Sequence, residues 1–236
     1  MEKQLKYILG GLILVLLFGG ETTAQATGEF FIGGQYSRPY SLTRETHFGA
    51  EDKTGLFANP GGGFTFELNS RKMFGVGGLF STSFFGMNRD AFAQYLRAES
   101  VDYIGGINST QIGVGPVANL PIIDGIVYFQ LKSYVGIRFI GTPDFVAHYL
   151  PTENRFTEVE YNTPARASTF YQLDGALQFF PSESFGFSFG LGYLGGTVST
   201  IRYNYITDGS KIIEGSDKIN QSIHYLNYRI GLVLTY

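Results

Sequence analysis

Apolar and polar residues alternate along much of this chain, and residues 127–139 show the pattern most clearly. One set of alternate positions is almost entirely apolar: Val127, Phe129, Leu131, Ser133, Val135, Ile137 and Phe139. The other set is more polar: Tyr128, Gln130, Lys132, Tyr134, Gly136 and Arg138. Successive side chains of a β-strand point to opposite faces, whereas on a helix these residues would scatter around the axis. The stretch therefore predicts a β-strand with two unlike faces.

The same alternation recurs along the chain and predicts eight strands. Their approximate limits are 29–37, 63–69, 73–85, 107–117, 127–139, 170–180, 185–193 and 224–236. The runs 73–85 and 107–117 are weaker than the others, and Pro116 falls inside the second of them. Because proline has no backbone N–H, it predicts either the end of the hydrogen-bonded ladder or a local break at this position.

The connections between the predicted strands alternate in length. Short ones lie near residues 70–72, 119–125 and 181–184, and long polar ones lie near 38–59, 87–104, 141–166 and 207–220. This order predicts an all-β fold, an antiparallel up-and-down eight-stranded barrel with both termini at the short-turn end. The last strand should pair with the first, because closure leaves no open edge. No linker or break in composition divides the chain, so one barrel domain is expected.

Composition narrows the class of protein. Charged residues make up 16% of the chain, below the ~25% of an ordinary soluble domain. The net charge of −3 gives no basic surface of the kind that binds nucleic acid. The absence of cysteine excludes a disulfide framework, a thiol nucleophile and a lipid-anchored terminal cysteine. No cluster of His, Asp or Glu has metal-site spacing, so we expect neither a metal nor a cofactor.

The amino terminus has the pattern of a secretory signal peptide. Lys3 and Lys6 precede an apolar run over residues 8–18, which is too short to span a bilayer as a helix. Ala24 and Ala26 then supply the small residues of a cleavage site. The sequence predicts a signal peptide over residues 1–26 and an exported barrel domain over 27–236, with a retained membrane anchor as the alternative.

Periodicity leaves open which face of the barrel is inside. A soluble barrel turns its apolar face inward, and an outer-membrane barrel turns it outward. An eight-stranded barrel is narrow inside, which suits the small residues Gly186, Ser188 and Gly190 better than the Phe-rich opposite face. A strand over residues 127–139, at ~3.3 Å per residue and a tilt of ~40°, also covers the ~25 Å apolar band of a membrane barrel. We therefore expect a bacterial outer-membrane protein with outer-membrane lipid around it.

These features resemble a known family. The signal peptide, the eight alternating strands, the alternation of short turns with long loops and the terminal sequence GLVLTY are similar to small outer-membrane β-barrel proteins of the OmpA/OmpX/OmpW type. The resemblance covers nearly all of the mature chain but concerns its architecture, since no motif specific to one member is visible. It implies that Tyr236, as a carboxyl-terminal aromatic residue, is part of the signal read by the barrel assembly machinery.

Five charged residues lie at inward positions of the predicted strands. They are Glu67, Lys132, Arg138, Asp174 and Arg229. Lys132 and Asp174 fall at similar heights on neighbouring strands, so we expect them to pair. Unpaired buried charge is costly, and two interpretations of the set are open: a charge-paired plug that fills a narrow barrel, or a polar pore lining or gate.

Few residues suggest catalysis. His47 and His148 fall in long loops, whereas Ser222 and His224 share the lipid-facing parity of the last strand. A membrane-facing Ser/His pair resembles the site of barrel enzymes that deacylate lipid A. The order here is Ser-x-His rather than His before Ser, and no acidic partner is evident. We therefore predict no catalytic residues, and the pair is kept only as a minor hypothesis.

The long loops carry many aromatic residues, and loops on a rigid scaffold often carry function. We predict that the protein is not an enzyme and acts structurally or binds an extracellular ligand or envelope protein through these loops. The alternatives are a narrow porin-like channel for small solutes, a barrel subunit of a secretion or motility machine, and a lipid-modifying enzyme. A nucleic-acid partner is not expected.

Overall fold

The computed structural model describes most of the predicted barrel domain. The described residues are 28–39, 44–45, 51–52, 58–87, 89–103, 105–141, 143–149, 158–161, 166–196, 199–201, 205–208, 211–214, 219–221 and 224–236. The predicted signal peptide over residues 1–26 lies outside these residues, so its presence and cleavage stay predictions.

Eight long strands form one closed antiparallel barrel. Numbered along the chain together with the shorter strands given below, they are β1 (Gly28–Pro39), β4 (Ala58–Ser70), β5 (Phe74–Met87), β7 (Ile107–Ile123), β8 (Val127–Gly141), β11 (Arg166–Ser182), β12 (Phe185–Gly196) and β17 (Tyr225–Thr235). Each pairs with the next long strand in sequence, and β1 pairs with β17. The predicted up-and-down eight-stranded barrel is confirmed.

The barrel closes where its two ends meet. The register between β1 and β17 runs from Glu29 opposite Thr235 to Pro39 opposite Tyr225. At the short-turn end, Gly28 N–H donates to the carbonyl of Tyr236 at 3.2 Å, and Tyr236 N–H donates to the carbonyl of Gly28 at 3.1 Å. Both ends of the barrel therefore lie at the short-turn end, as predicted.

The short turns cover residues 71–73, 124–126 and 183–184. The turn expected at 119–125 is shorter than predicted, because β7 continues to Ile123 and the chain reverses around Gly125, whose φ is +74°. Pro121 explains the error: it resembles a loop residue, but it pairs with Tyr128 immediately before a shift in register.

Pro116 interrupts the ladder on only one side of its strand. Toward β8 the pairing stops at Val114 and resumes in the same register at Val117, opposite Lys132. Toward β5, Pro116 stays opposite Val76. The proline therefore produces the local break that the sequence allowed, and β7 passes through it without ending.

The apolar face of the barrel points outward. Phe64, Val114 and Phe189 are 60%, 62% and 55% exposed, whereas Gln130, Glu67 and Gln172 are 0–2% exposed and lie inside. Such a surface is stable in hydrocarbon, and closure leaves no unpaired strand edge there. The chain is therefore an integral β-barrel of the outer-membrane type, with its predicted inside and outside faces confirmed and the bacterial outer membrane as its location.

The long loops contain ordered structure that the sequence analysis did not predict. A helix, α1 (Arg89–Leu96), precedes a five-stranded sheet in the order β15-β14-β10-β9-β6. Its strands are β6 (Ser100–Tyr103), β9 (Phe145–His148), β10 (Glu158–Tyr161), β14 (Tyr205–Asp208) and β15 (Lys211–Glu214). Two further pairs join β2 (Arg44–Glu45) to β3 (Glu51–Asp52) and β13 (Ser199–Ile201) to β16 (Ile219–Gln221). No helix within the described ranges is long and apolar enough to cross a membrane.

Candidate functional site in the lumen and the loop sheet

Aromatic side chains occupy the lumen at its short-turn end. Phe31, Phe180 and Val233 form a buried cluster against which Tyr128 packs. The rings of Tyr128 and Phe180 meet edge to face with centroids 5.7 Å apart. The guanidinium of Arg71 covers both rings, at 4.6 Å from the Phe180 centroid and 5.6 Å from that of Tyr128. This end of the lumen is therefore filled by packed side chains.

A layer of amides holds a buried carboxylate, Glu29, near the same end. Its Oε1 accepts hydrogen bonds from the side-chain amides of Gln130 at 2.5 Å, Gln178 at 3.0 Å and Asn69 at 3.3 Å. Gln130 also donates to Asn119 Oδ1 at 2.8 Å. The sequence analysis did not single out Glu29, although the alternation of 29–37 places it on the inward face with Gln35.

The middle of the lumen contains a cluster of opposite charges. Lys132 Nζ lies 2.5 Å from Glu67 Oε2, and Arg229 Nη1 forms an ion pair with Glu67 Oε1. Arg229 Nη2 also lies 2.7 Å from Asp174 Oδ2, which accepts a hydrogen bond from Gln172 at 2.7 Å. All four charged side chains are at most 5% exposed. Two carboxylates and two cations therefore neutralise one another in the interior.

The expected pairing of Lys132 with Asp174 needs correction. The two residues are register partners on β8 and β11, as predicted. The ion pairs of the cluster nevertheless join strands that are not neighbours: Lys132 reaches Glu67 on β4, and Asp174 contacts Arg229 on β17. The reason is the width of an eight-stranded barrel, since long side chains span a narrow lumen.

Hydroxyl groups and one amide fill the lumen beside the charge cluster. Gln35 Oε1 accepts hydrogen bonds from Thr65 Oγ1 at 2.6 Å and Ser81 Oγ at 3.1 Å. Its amide nitrogen donates to Ser83 Oγ. All four side chains are buried. The polar residues here bond to one another, which rigidifies the barrel interior and leaves few groups to solvate a passing ion.

The outer half of the lumen contains an apolar cluster beside buried polar side chains such as Gln111 and Asn227. Its buried cluster consists of Leu79, Phe85, Ile107, Tyr134, Ile140, Phe170, Leu194 and Tyr225. Phe85 and Tyr225 stack across the barrel with ring centroids 4.8 Å apart. Arg138, the fifth of the predicted lumen charges, points into this half of the lumen and is 0% exposed. It takes no part in the ion pairs of the central cluster.

Two of the other predicted site residues, His224 and Tyr236, are at the barrel surface. His224 is half-buried on the lipid-facing side, where Nδ1 lies 2.7 Å from the hydroxyl of Tyr193 and the two rings stack. Ser222 lies outside the described residues, so the Ser222/His224 hypothesis has no geometric test. Tyr236 is exposed, and its ring occupies the space beside Gly28. Its role in assembly remains a prediction. Over the described ranges, no group of His, Asp and Glu side chains could hold a metal ion.

The loop sheet has one buried and one exposed face. Val101, Phe145, Ala147 and Val159 are at most 6% exposed and form its buried side. Asp102, Glu158 and Glu160 point the other way, to solvent. His148 lies on β9 between Ser100 and Glu158, and its Nε2 is 3.2 Å from Asp102 Oδ2. Segments from three separate long loops thus form one surface with its own small core.

No protein-family model matches the sequence, and no curated protein matches it. Solved structures with a similar fold include Ail, the attachment invasion locus protein of Yersinia pestis, at 15% identity, with 90% of this chain and 100% of that chain covered and a TM-score of 0.44. OprG from Pseudomonas aeruginosa is 12% identical over 92% of this chain and 99% of its own, with a TM-score of 0.48. The outer membrane protease OmpT from Escherichia coli is 7% identical over 92% and 99%, with a TM-score of 0.47. These likenesses do not assign a role to this chain.

Proposed function

We propose that this outer-membrane barrel is a closed, non-enzymatic scaffold that presents its loop sheet to an extracellular ligand. The observation that carries the proposal is that three long loops form one five-stranded sheet with a buried face. Ordering loop segments has an entropic cost, and a packed core offsets that cost before any ligand binds. A preformed surface loses less conformational freedom on binding than separate mobile loops would.

The filled lumen favours the scaffold function and disfavours a channel. Aromatic residues occupy the short-turn end, an ion-paired cluster occupies the middle, and an apolar cluster lies above it. A conducting pore needs a continuous polar, water-filled path, as in larger barrels. We also propose that Tyr236 interacts with the barrel assembly machinery. The support for this interaction is the family resemblance of the carboxyl-terminal sequence.

Planar-bilayer recording tests the closed lumen. The purified barrel should give no reproducible stepwise current, because the side chains of three successive layers block the path. A variant with Phe31→Ala and Phe180→Ala should also be silent, since the central ion pairs remain. Stepwise currents from the unmodified protein would favour the narrow channel for small solutes.

Matched substitutions in one loop strand test the binding surface. Val101→Asp places a charge in the buried face of the loop sheet, whereas Ser100→Asp places the same charge next to it on the exposed face. Only the first should abolish slow hydrogen exchange at residues 145–148 while leaving the barrel strands protected. The retention of intact cells that carry each variant is then measured on surfaces coated with polysaccharides or with fibrous surface proteins.

The scaffold proposal expects at least one of these coatings to retain the unmodified protein and the Ser100→Asp variant, but not Val101→Asp. Equal retention of both variants, or no retention on any coating, would contradict binding through the loop sheet. Release of a chemically altered product from any coating would contradict the non-enzymatic part of the proposal.

A further inference from the structure

Arg138 is a buried cation with no hydrogen-bond or ion-pair partner among the residues that the structure describes. Its side chain is 0% exposed, and Nε, Nη1 and Nη2 make no hydrogen bond. A guanidinium has five N–H donors and remains charged in proteins. Burying such a group without an acceptor is among the most unfavourable arrangements in a protein interior. The described part of the chain therefore leaves this guanidinium without an acceptor.

The buried carboxylates within the described residues do not complete it. Glu67 and Asp174 contact Lys132 and Arg229 in the middle of the lumen, and Glu29 lies among amides near the short-turn end. Arg138 is six residues beyond Lys132 on the same strand, which is about 20 Å along β8. Within the described ranges, no buried carboxylate is therefore placed to neutralise Arg138.

Two unused hydroxyl groups flank Arg138. Ser168 is its register partner on β11. On β7 its register partner is the buried Gln111, and Ser109 is the next inward residue toward the long-loop end, opposite Ile140. Neither Ser168 Oγ nor Ser109 Oγ has a hydrogen-bond partner. On β12, a β-carbon at Gly196 would lie 3.0 Å from Arg138 Nη2, so the absence of a side chain there leaves room for the guanidinium.

We propose that Arg138, Ser168 and Ser109 form a binding site for a small oxyanion, either a carboxylate or a phosphate. A guanidinium presents paired N–H groups that match the two oxygens of such an anion, and the serine hydroxyls supply further donors. This lumen site is separate from the loop sheet and does not depend on the proposed scaffold function.

The anion reaches this site from the long-loop end. β8 ends at Gly141, three residues after Arg138, so the site lies close to the outer rim of the barrel. In the opposite direction the aromatic and ion-paired layers fill the lumen. The anion therefore enters and leaves by the long-loop end.

Arginine side-chain NMR provides a direct test. The protein, labelled with ¹⁵N at arginine and held in detergent micelles, is titrated with inorganic phosphate, acetate or chloride at constant ionic strength. The Nε resonance of Arg138, identified by its loss in Arg138→Lys, should shift saturably with phosphate, acetate or both, and much less with chloride. The oxyanion that saturates at lower concentration distinguishes a phosphate site from a carboxylate site. A resonance that none of the anions shifts would overturn the proposal and leave water as the partner.

Thermal unfolding with matched variants provides the second test. The same oxyanion should raise the melting temperature of the unmodified protein saturably, since it binds the folded state. Arg138→Gln should lose this increase, whereas Arg38→Gln, which removes an exposed cation from the outer end of β1, should retain it. If Arg138→Gln does not fold, Ser168→Ala should still weaken binding severalfold in the NMR titration. Undiminished stabilisation of Arg138→Gln, or undiminished affinity of Ser168→Ala, would contradict the site.

Discussion

The middle and the outer half of the lumen bury charge in different ways. In the middle, Lys132 and Arg229 both contact Glu67, and Arg229 also contacts Asp174. In the outer half, Arg138 is equally buried but contacts no carboxylate of the described residues. The two regions belong to the same strands and face the same interior. An inward position on a strand therefore determines whether a charge is buried. It does not determine whether an opposite charge lies close enough to neutralise it.

The side chains around each cation explain the difference. The middle of the lumen is lined with residues that accept hydrogen bonds or carry negative charge, and these are close enough to meet across the barrel. The outer half contains the apolar cluster with Phe85, Ile140 and Phe170, and its buried polar residues include Ser109, Gln111 and Asn227, none of which carries a negative charge. Removing a charge should therefore destabilise the middle and relieve the outer half.

The largest effect is expected for Glu67→Gln. The substitution leaves Lys132 and Arg229 without their shared carboxylate, and breaking a buried ion pair in this way costs about 3–5 kcal/mol. The free energy of unfolding in urea, followed by circular dichroism of the barrel in lipid vesicles, measures the loss. A loss below about 1 kcal/mol would show that water already solvates the middle of the lumen.

A smaller loss is expected for Asp174→Ala. Arg229 keeps its contact with Glu67 in this variant, so the loss should be about 1–3 kcal/mol, in the range of an unsatisfied buried group. The control is Ser133→Ala on the lipid-facing side of β8, where no buried charge is disturbed. Equal unfolding free energies of the two variants would contradict the role of Asp174 in the central cluster.

The smallest effect, and one of opposite sign, is expected for Arg138→Met. The change replaces a buried cation, which has no carboxylate partner among the described residues, by an uncharged apolar side chain. In buffer without phosphate or carboxylate, the free energy of unfolding should rise by about 1 kcal/mol. A loss as large as that of Asp174→Ala would mean that Arg138 has a stabilising partner within the protein.

The barrel was predictable from the sequence because its strands are long. In a run such as 127–139, apolar and polar residues alternate many times. The assignment of Gln130, Lys132 and Arg138 to the inward face is therefore unambiguous. The strands of the loop sheet were missed because each is only four residues long, and two of the four pairings in the sheet join segments from different loops. Alternation over four residues is too short to distinguish a strand from a polar loop.

The lumen site was only partly predictable. The alternation along the strands places Glu67, Lys132, Asp174 and Arg229 on the inward face, and the structure brings these four together. Register relates adjacent strands alone, so the sequence predicts that Lys132 pairs with Asp174 on the neighbouring strand. Contacts across the lumen depend on barrel width and side-chain reach, which no local pattern encodes. The isolation of Arg138 was missed for the same reason.

The contacts of Arg229 also link closure of the barrel to neutralisation of the charges in its lumen. Glu67 and Lys132 lie on strands made early and midway along the chain, so their mutual contact needs only those strands. Asp174 gains its cation only when the last strand arrives with Arg229, and the same strand supplies the edge that β1 requires. Pairing of the last strand therefore closes the hydrogen-bonded barrel and neutralises the charges in its lumen in a single step. An unclosed intermediate is unfavourable because it leaves both a strand edge and the Asp174 carboxylate without their partners.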